Sequence, residues 1–325
     1  MWIVLPMLKF IIFKLIGIMR SIIKLFIPLK YQMKDISGEI ALVTGAAGGL
    51  GRAIAIGLAN HGVIVVIWDI NQNGIEETME LIKAAGGTCY GYVCDVRNSD
   101  DIYKTAEIVR EEVGQVNILV NNAGVINIGN FLDIPDNLLN RTMEINIMSQ
   151  FWFRIKKTVK AFLPAMIKSN KGHIVSIASA AGHVGCPKLV DYCTSKHAVA
   201  GFIESLRLEL EYEGYNINTT VISPYIIRNT GMNIEGVARF ASSLSPNEVA
   251  EKTIISLRCN KHIVIIPAFL KILIILKWIL TWDFFRMLIR SLINYDILSS
   301  YELIKESSVK QSPIRSKIVE RNINN

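Results

Sequence analysis

The stretch that decides the fold is IALVTGAAGGLGRAIAIGLANHGVIVVIWDIN, residues 40–71. It opens on an apolar run, Ile40–Thr44, and turns through TGAAGGLG (Thr44–Gly51). It then continues into the helical segment RAIAIGLANHG and ends on a second apolar run, VIVVIWD. Strand, glycine turn, helix and strand make a βαβ unit. Strands that are apolar throughout belong to a parallel sheet covered on both faces. The turn is spaced Gly45-x-x-x-Gly49-x-Gly51. It lets the backbone approach a pyrophosphate, which free N–H groups and the dipole at the helix start stabilise. Because the spacing is looser than G-x-G-x-x-G, the glycines alone leave a plain structural turn open as the alternative. Asp69 then closes the second strand 24 residues after Gly45. A carboxylate there accepts hydrogen bonds from the adenosine ribose and repels a 2′-phosphate. No Lys or Arg follows it closely, so NAD is favoured over NADP as the cofactor.

The alternation continues outward. Apolar runs recur at Thr88–Cys94 (the weakest), Asn117–Asn121, Gly172–Ala178, Ile217–Ser223 and His262–Ile266. Amphipathic segments lie between them at Gly74–Ala85, Asp100–Val113, Asp136–Lys168 and Asp191–Glu213. Ser245-Pro-Asn-Glu opens another helix as a capping box with proline at its first position. The pattern predicts an α/β fold: a Rossmann-type doubly wound parallel sheet of about seven strands with helices on both faces. No internal repeat or linker splits the body, so residues 35–268 are expected to form one NAD-binding domain.

Charge and hydropathy are unevenly distributed. The chain has 51% hydrophobic residues, a mean hydropathy of +0.35 and a net charge of +7. Lys9, Lys14, Arg20, Lys24, Lys30 and Lys34 are unopposed by acid in residues 1–34, which leaves +1 for the remainder. A nearly neutral body argues against nucleic acid as a partner. The basic, apolar leader points to an anionic membrane surface. Residues 1–34 read first as an interfacial amphipathic helix or hairpin, then as a single span, and last as a soluble partner-binding helix. The apolar stretch 263–293 reads equally as a C-terminal core helix or lid over a pocket and as a second membrane-contacting element, and 269–305 is expected to be an apolar helical extension. Residues 306–325 form a polar tail. Five cysteines without metal-ligand spacing read as reduced thiols on the cytosolic side, and no metal site is expected.

The motifs over residues 36–268 resemble the short-chain dehydrogenase/reductase family. They run in order: Thr44-Gly45-x-x-x-Gly49-x-Gly51, Asp95 after the third strand, NNAG (Asn121–Gly124) after the fourth, Asn146, Ser179, and Tyr192-x-x-x-Lys196. Ser179 precedes Tyr192 by 13 residues, as expected for the family. A second Tyr-x-x-x-Lys at Tyr301–Lys305 has leucine at the corresponding position, Leu288. IWDIN, KAFLPAMI, DYCTSKHAVAGF and the apolar leader resemble the membrane-associated branch of epidermal retinol and 17-beta-hydroxysteroid dehydrogenases.

The resemblance implies oxidation of a lipophilic alcohol, retinol-type first and hydroxysteroid second, or a non-catalytic lipid-droplet structural protein on the same fold. It implies a homodimer at the cytosolic face of the endoplasmic reticulum or on a lipid droplet. Tyrosine is a weak base at its ordinary pKa near 10, and a nearby ammonium favours the phenolate. Spacing of four puts Tyr192 and Lys196 on one helix face. Ser179 would hold the substrate oxygen, and Asn146 would fix a water linking Lys196 to solvent. Thr44, Gly45, Gly49, Leu50, Gly51, Asp69, Asp95, Val96, Asn122, Ala123, Gly124, Pro224 and Thr230 are the expected cofactor contacts, with Tyr192 and Lys196. Asn122 reads alternatively as a structural turn residue. The stretch SPYIIRNTG departs from the family's Pro-Gly-x-x-x-Thr: Tyr225 follows Pro224, and Thr230 comes one position late.

Overall fold

The computed structural model describes residues 26–150, 158–230 and 242–292, together with scattered leader positions and the backbone of a short pairing at 152–156. Most of the expected 1–34 membrane segment, the 306–325 tail and the Tyr301–Lys305 pair lie outside the described residues. In chain order the first half contains β1 (Ile40–Thr44), α1 (Gly49–Ala59), β2 (Ile64–Asp69), α2 (Gln72–Ala84), β3 (Cys89–Val93), α3 (Ser99–Glu112), β4 (Ile118–Asn121) and α4 (Asp136–Met143). The second half contains α5 (Thr158–Ser169), β5 (Gly172–Ile177), α6 (Val190–Tyr212), β6 (Ile217–Pro224), α7 (Pro246–Arg258), β7 (Ile263–Ile266), α8 (Leu270–Ile279) and α9 (Trp282–Leu292).

The seven strands form one parallel sheet in the order β3-β2-β1-β4-β5-β6-β7. Each strand sends alternate apolar side chains to opposite cores. Ala41, Val43, Val65 and Ile67 meet α1, α2 and α7, whereas Leu42, Val66 and Trp68 meet α3, α5 and α6. Burial on both faces is why these strands read as continuous apolar runs. The chain winds outward from β1 in one direction and from β4 in the other. The crevice at their carboxyl ends is therefore the switch point where such sheets bind ligands. Side-chain caps fix the helix starts: Ser245 Oγ accepts the Glu248 N–H at 3.1 Å, and Asn71 Oδ1 accepts that of Gly74 at 3.3 Å.

One expected element is interrupted. The helical stretch Asp136–Lys168 breaks into α4, a π-helical turn at Glu144–Met148, the 152–156 pairing and α5. Asn146 sits inside the π turn, fully buried. Its side chain bonds both backbone groups of Val125, with Oδ1 accepting at 2.8 Å and Nδ2 donating at 2.9 Å. An amide satisfied across elements outweighs an unbroken i→i+4 ladder, and π turns concentrate at such positions.

Helices α8 and α9 are two-faced. Leu270, Leu273 and Ile274 on α8, and Phe285, Ile289 and Leu292 on α9, turn toward the body at helical spacing. Ile272, Ile275, Trp278 and Ile279 on α8 and Trp282, Phe284 and Met287 on α9 face outward, with Trp278 80% exposed. Among the described residues no helix is long and apolar enough to cross a membrane.

Candidate active site

At the switch point β1 enters its glycine turn. Gly45 and Gly49 adopt φ of +67° and +53°, the left-handed region that favours glycine. Gly51 is fixed by space: a Cβ there would lie 2.1 Å from Gly45 O and 2.6 Å from Asn122 Nδ2. Helix α1 begins at an extended Gly48 with no side-chain cap and no acid in its first turn. Its leading N–H groups thus face the cavity beside open space where Gly48 has no side chain. This is the environment a pyrophosphate needs.

Thr44 and Asn122 fasten the turn from behind. Thr44 Oγ1 accepts the N–H groups of Asn122 (3.0 Å) and Ala123 (3.2 Å). Asn122 Nδ2 donates to the carbonyls of Thr44 (3.0 Å) and Gly45 (3.1 Å), so its side chain clamps the ends of β1 and β4. Asp69 Oδ2 accepts from Ala47 N at 3.0 Å and Oδ1 from Asn71 N at 3.1 Å. A carboxylate has about four acceptor sites, so capacity remains for two ribose hydroxyls. Arg52 was not legible as a contributor. Its guanidinium bonds Thr78 Oγ1 (2.9 Å), Ala47 O (2.5 Å) and Glu77 (2.6 Å), which shapes the turn and points its charge toward α2. Asp95 and Val96 line the same cavity, with Asp95 paired to Arg97 at 2.6 Å.

Tyr192 and Lys196 share the first turns of α6, and both are buried. Lys196 Nζ lies 5.7 Å from the centre of the Tyr192 ring and donates to Ile177 O at 2.9 Å. Burial pushes the phenol up to about 12, opposed by a hydrogen bond with Ser179, and pulls the lysine down to about 8. Each charged form is unfavourable alone, because neither keeps its water. Ser179 ends the loop after β5; its Oγ accepts Ala181 N at 3.2 Å and donates to Pro224 O at 3.4 Å. Gly124 completes the group. A Cβ there would stand 3.4 Å from both Asn146 Oδ1 and Lys196 Nζ. Asn146 itself lies behind the cavity, and its Nδ2 also donates to Ser195 Oγ at 3.0 Å.

These groups open onto one cavity of about 540 Å³. Of the sequence-derived site residues, Thr44 and Asn146 support it from behind and the others line it. Thr230 reaches the wall despite the extra residue: Asn229 takes up the added length at φ +56°, and Thr230 Cα comes within 3.3 Å of a Cβ built on Gly49. At the far end the wall is Val184, Leu189, Leu270, Leu273, Ile274 and Ile289. The α8–α9 contribution had no signal beyond apolar periodicity. Lys277 ties α8 to the loop after Ser179 through His183 O at 2.8 Å, and His183 Nε2 pairs with Ser223 Oγ at 2.9 Å.

Comparison with known proteins agrees with this geometry. The short chain dehydrogenase family model matches residues 39–239. The chain is 44% identical over 256 residues to the bovine (Bos taurus) short-chain dehydrogenase/reductase family 16C member 6, covering 77% of this chain and 79% of that one. Mouse (Mus musculus) epidermal retinol dehydrogenase 2 is 40% identical, with 79% and 82% covered. Human (Homo sapiens) estradiol 17-beta-dehydrogenase 11 is 38% identical, with 88% and 93% covered. A crystal structure of a short-chain dehydrogenase/reductase from Burkholderia phymatum in complex with NAD superposes with a TM-score of 0.67 at 26% identity, covering 76% of this chain and 95% of that one. With a nucleotide-shaped glycine turn, a buried Tyr–Lys pair and these relatives, the chain belongs to the short-chain dehydrogenase/reductase family, oxidoreductases acting on CH–OH donors.

Proposed function

We propose that this protein is an NAD-dependent dehydrogenase that oxidises a lipophilic primary or secondary alcohol, of the retinol type, to its carbonyl. The observation that carries this reading is continuity. One cavity is lined by Asp69, by Tyr192 and Lys196, and by the apolar wall of Leu270, Leu273, Ile274 and Ile289. Gly45, Gly49, Leu50 and Gly51 would hold the pyrophosphate, with Thr44 fastening their turn from behind; Asp69 would hold the adenosine ribose, and Asp95 and Val96 the adenine side. Asn122, Ala123, Gly124, Pro224 and Thr230 flank the nicotinamide end, whose ring, when bound, accepts hydride. Tyr192 takes the hydroxyl proton as phenolate, and Lys196 stabilises that phenolate and reaches the ribose. Ser179 turns its hydroxyl from Pro224 O to the substrate oxygen. Asn146 holds Val125 and Ser195 in place from behind the cavity and would fix a water linking Lys196 to solvent.

A hydroxysteroid is the second reading, favoured by the 38% identity to a protein named estradiol 17-beta-dehydrogenase 11. The basic leader and the exposed apolar faces of α8 and α9, bordered by Lys271, Arg286 and Arg290, support residence at a cytosol-facing endoplasmic reticulum membrane or lipid droplet. In this division 1–34 is the anchor, 35–268 the catalytic domain, 269–305 the lid and 306–325 a tail, and the family resemblance favours a homodimer. The test is a microsomal assay with NAD against retinols, hydroxysteroids and long-chain alcohols, with Tyr192→Phe as the control. Retinol turnover that vanishes in Tyr192→Phe supports the proposal, and steroid preference selects the second reading. A folded wild type silent on every alcohol favours the structural-protein alternative.

A further inference from the structure

Cys186, which lines the cavity, and Cys193, buried beside it, have no part in alcohol oxidation. Cys186 lies in the segment between the loop after Ser179 and α6, and Cys193 lies in the first turn of α6. The Cys186 N–H donates to Cys193 Sγ at 3.3 Å, which holds the second sulfur against the backbone of the first residue. The segment is folded back onto the helix by Leu189 N–H bonding to Cys186 O at 3.3 Å. Cys193 packs with Leu189 and Tyr192, and Cys186 packs against that group while facing the cavity. We infer that Cys186 and Cys193 are an oxidisable dithiol, which a hydroperoxide entering the cavity converts to a disulfide beside Tyr192.

The chemistry is balanced. Cys186 attacks one peroxide oxygen, the O–O bond breaks, the leaving oxygen departs as water or an alcohol, and Cys186 becomes a sulfenic acid. The Cys193 sulfur then attacks the Cys186 sulfur and displaces water, so two thiols lose two hydrogens and one peroxide is reduced. The roles follow from access: Cys186 faces the cavity the peroxide enters, and Cys193, buried beside it, is placed to resolve.

The test is made on the full-length protein in detergent, treated with hydrogen peroxide, alkylated and digested without reduction. The expected result is a Cys186–Cys193 cross-linked peptide, lighter by two hydrogens, with Cys89, Cys94 and Cys259 still alkylated. Alkylation of Cys186 should fall by at least about tenfold and return with dithiothreitol. Pairing with Cys94, or sulfinic acid at Cys186 without the bridge, would overturn the assignment. In Cys193→Ser the bridge must disappear and Cys186 must advance to higher acids; an unchanged oxidation pattern refutes the resolving role. The link to Tyr192 rests on the proposed dehydrogenase activity: bridged protein should lose turnover, and full turnover refutes that link. If no alcohol is oxidised at all, the peptide map still decides the dithiol.

Discussion

The Tyr192–Lys196 pair permits a quantitative forecast for Lys196→Met. Burial pushes the phenol up to about 12, far from useful for a base at neutral pH. Lys196 Nζ stands 5.7 Å from the ring centre. Two unit charges at that distance attract by about 3 kcal/mol with an effective dielectric constant near 20. One pH unit corresponds to about 1.4 kcal/mol, so losing the ammonium should move phenolate formation up by about two pH units. The sign is unambiguous: the cation favours the charged phenol, and removing it favours the neutral one. Methionine keeps the chain length and the packing but removes both the charge and the bond to Ile177 O. The assay is initial-rate oxidation with saturating NAD and alcohol, from about pH 6 to about pH 11, on wild type and Lys196→Met. The rising limb of kcat should shift upward by about two pH units, with a loss at neutral pH of about a hundredfold. A limb that stays in place while the rate falls equally at every pH would refute the electrostatic role and leave Lys196 only a binding one.

Four further variants separate the parts of the site. Gly51→Ala forces a Cβ to 2.1 Å from Gly45 O and should cost about 1–3 kcal/mol of stability, read by thermal unfolding. Gly48→Ala meets open space at an extended φ, so it should keep wild-type stability and weaken NAD alone, read by nucleotide titration. Asp69→Asn should shift the NAD-to-NADP affinity ratio toward NADP by about tenfold or more, since it removes the charge facing the ribose; an unchanged ratio counts against the specificity argument. Lys277→Met removes the bond to His183 O, worth about 1 kcal/mol at this partly exposed position. It should raise KM for a long apolar alcohol several-fold while sparing kcat.

The sheet and the nucleotide turn were legible because both are local. Alternation in Ala41–Val43 and Val65–Trp68 is imposed by two cores on two faces, and Gly51 is demanded by an atom six residues away, Gly45 O. What was not legible depends on distant partners. The interruption of Asp136–Lys168 follows from Asn146 finding Val125, and no helix-propensity scale weighs that contact. The extra residue before Thr230 looked like a displacement. It is absorbed by one left-handed asparagine, Asn229, the residue type most tolerant of that conformation after glycine. Asn122 carried two readings, cofactor support or structural turn. Its bonds to Thr44 and Gly45 carbonyls show the clamp directly, and that clamp also presents the cavity edge.

The C-terminal segment shows why composition alone left two readings open. A helix that is apolar nearly all round belongs in a core or against lipid, and among the described residues α8 packs on only one side. Leu270, Leu273 and Ile274 line the cavity, while Ile272, Ile275, Trp278 and Ile279 are exposed among the described residues. The inward stripe reads as a lid, and the outward one carries the tryptophans and nearby cations of an interfacial helix. Under the proposed function, the two readings correspond to the two faces of one helix. On the proposed function, a lipid surface against the outer face would lie one helix thickness from the alcohol-binding wall. An apolar substrate could then pass between them without first dissolving in water. This arrangement ties substrate access to the lid contact at His183 O. Loosening that contact should change KM for apolar alcohols presented in vesicles more than for the same alcohols presented in detergent.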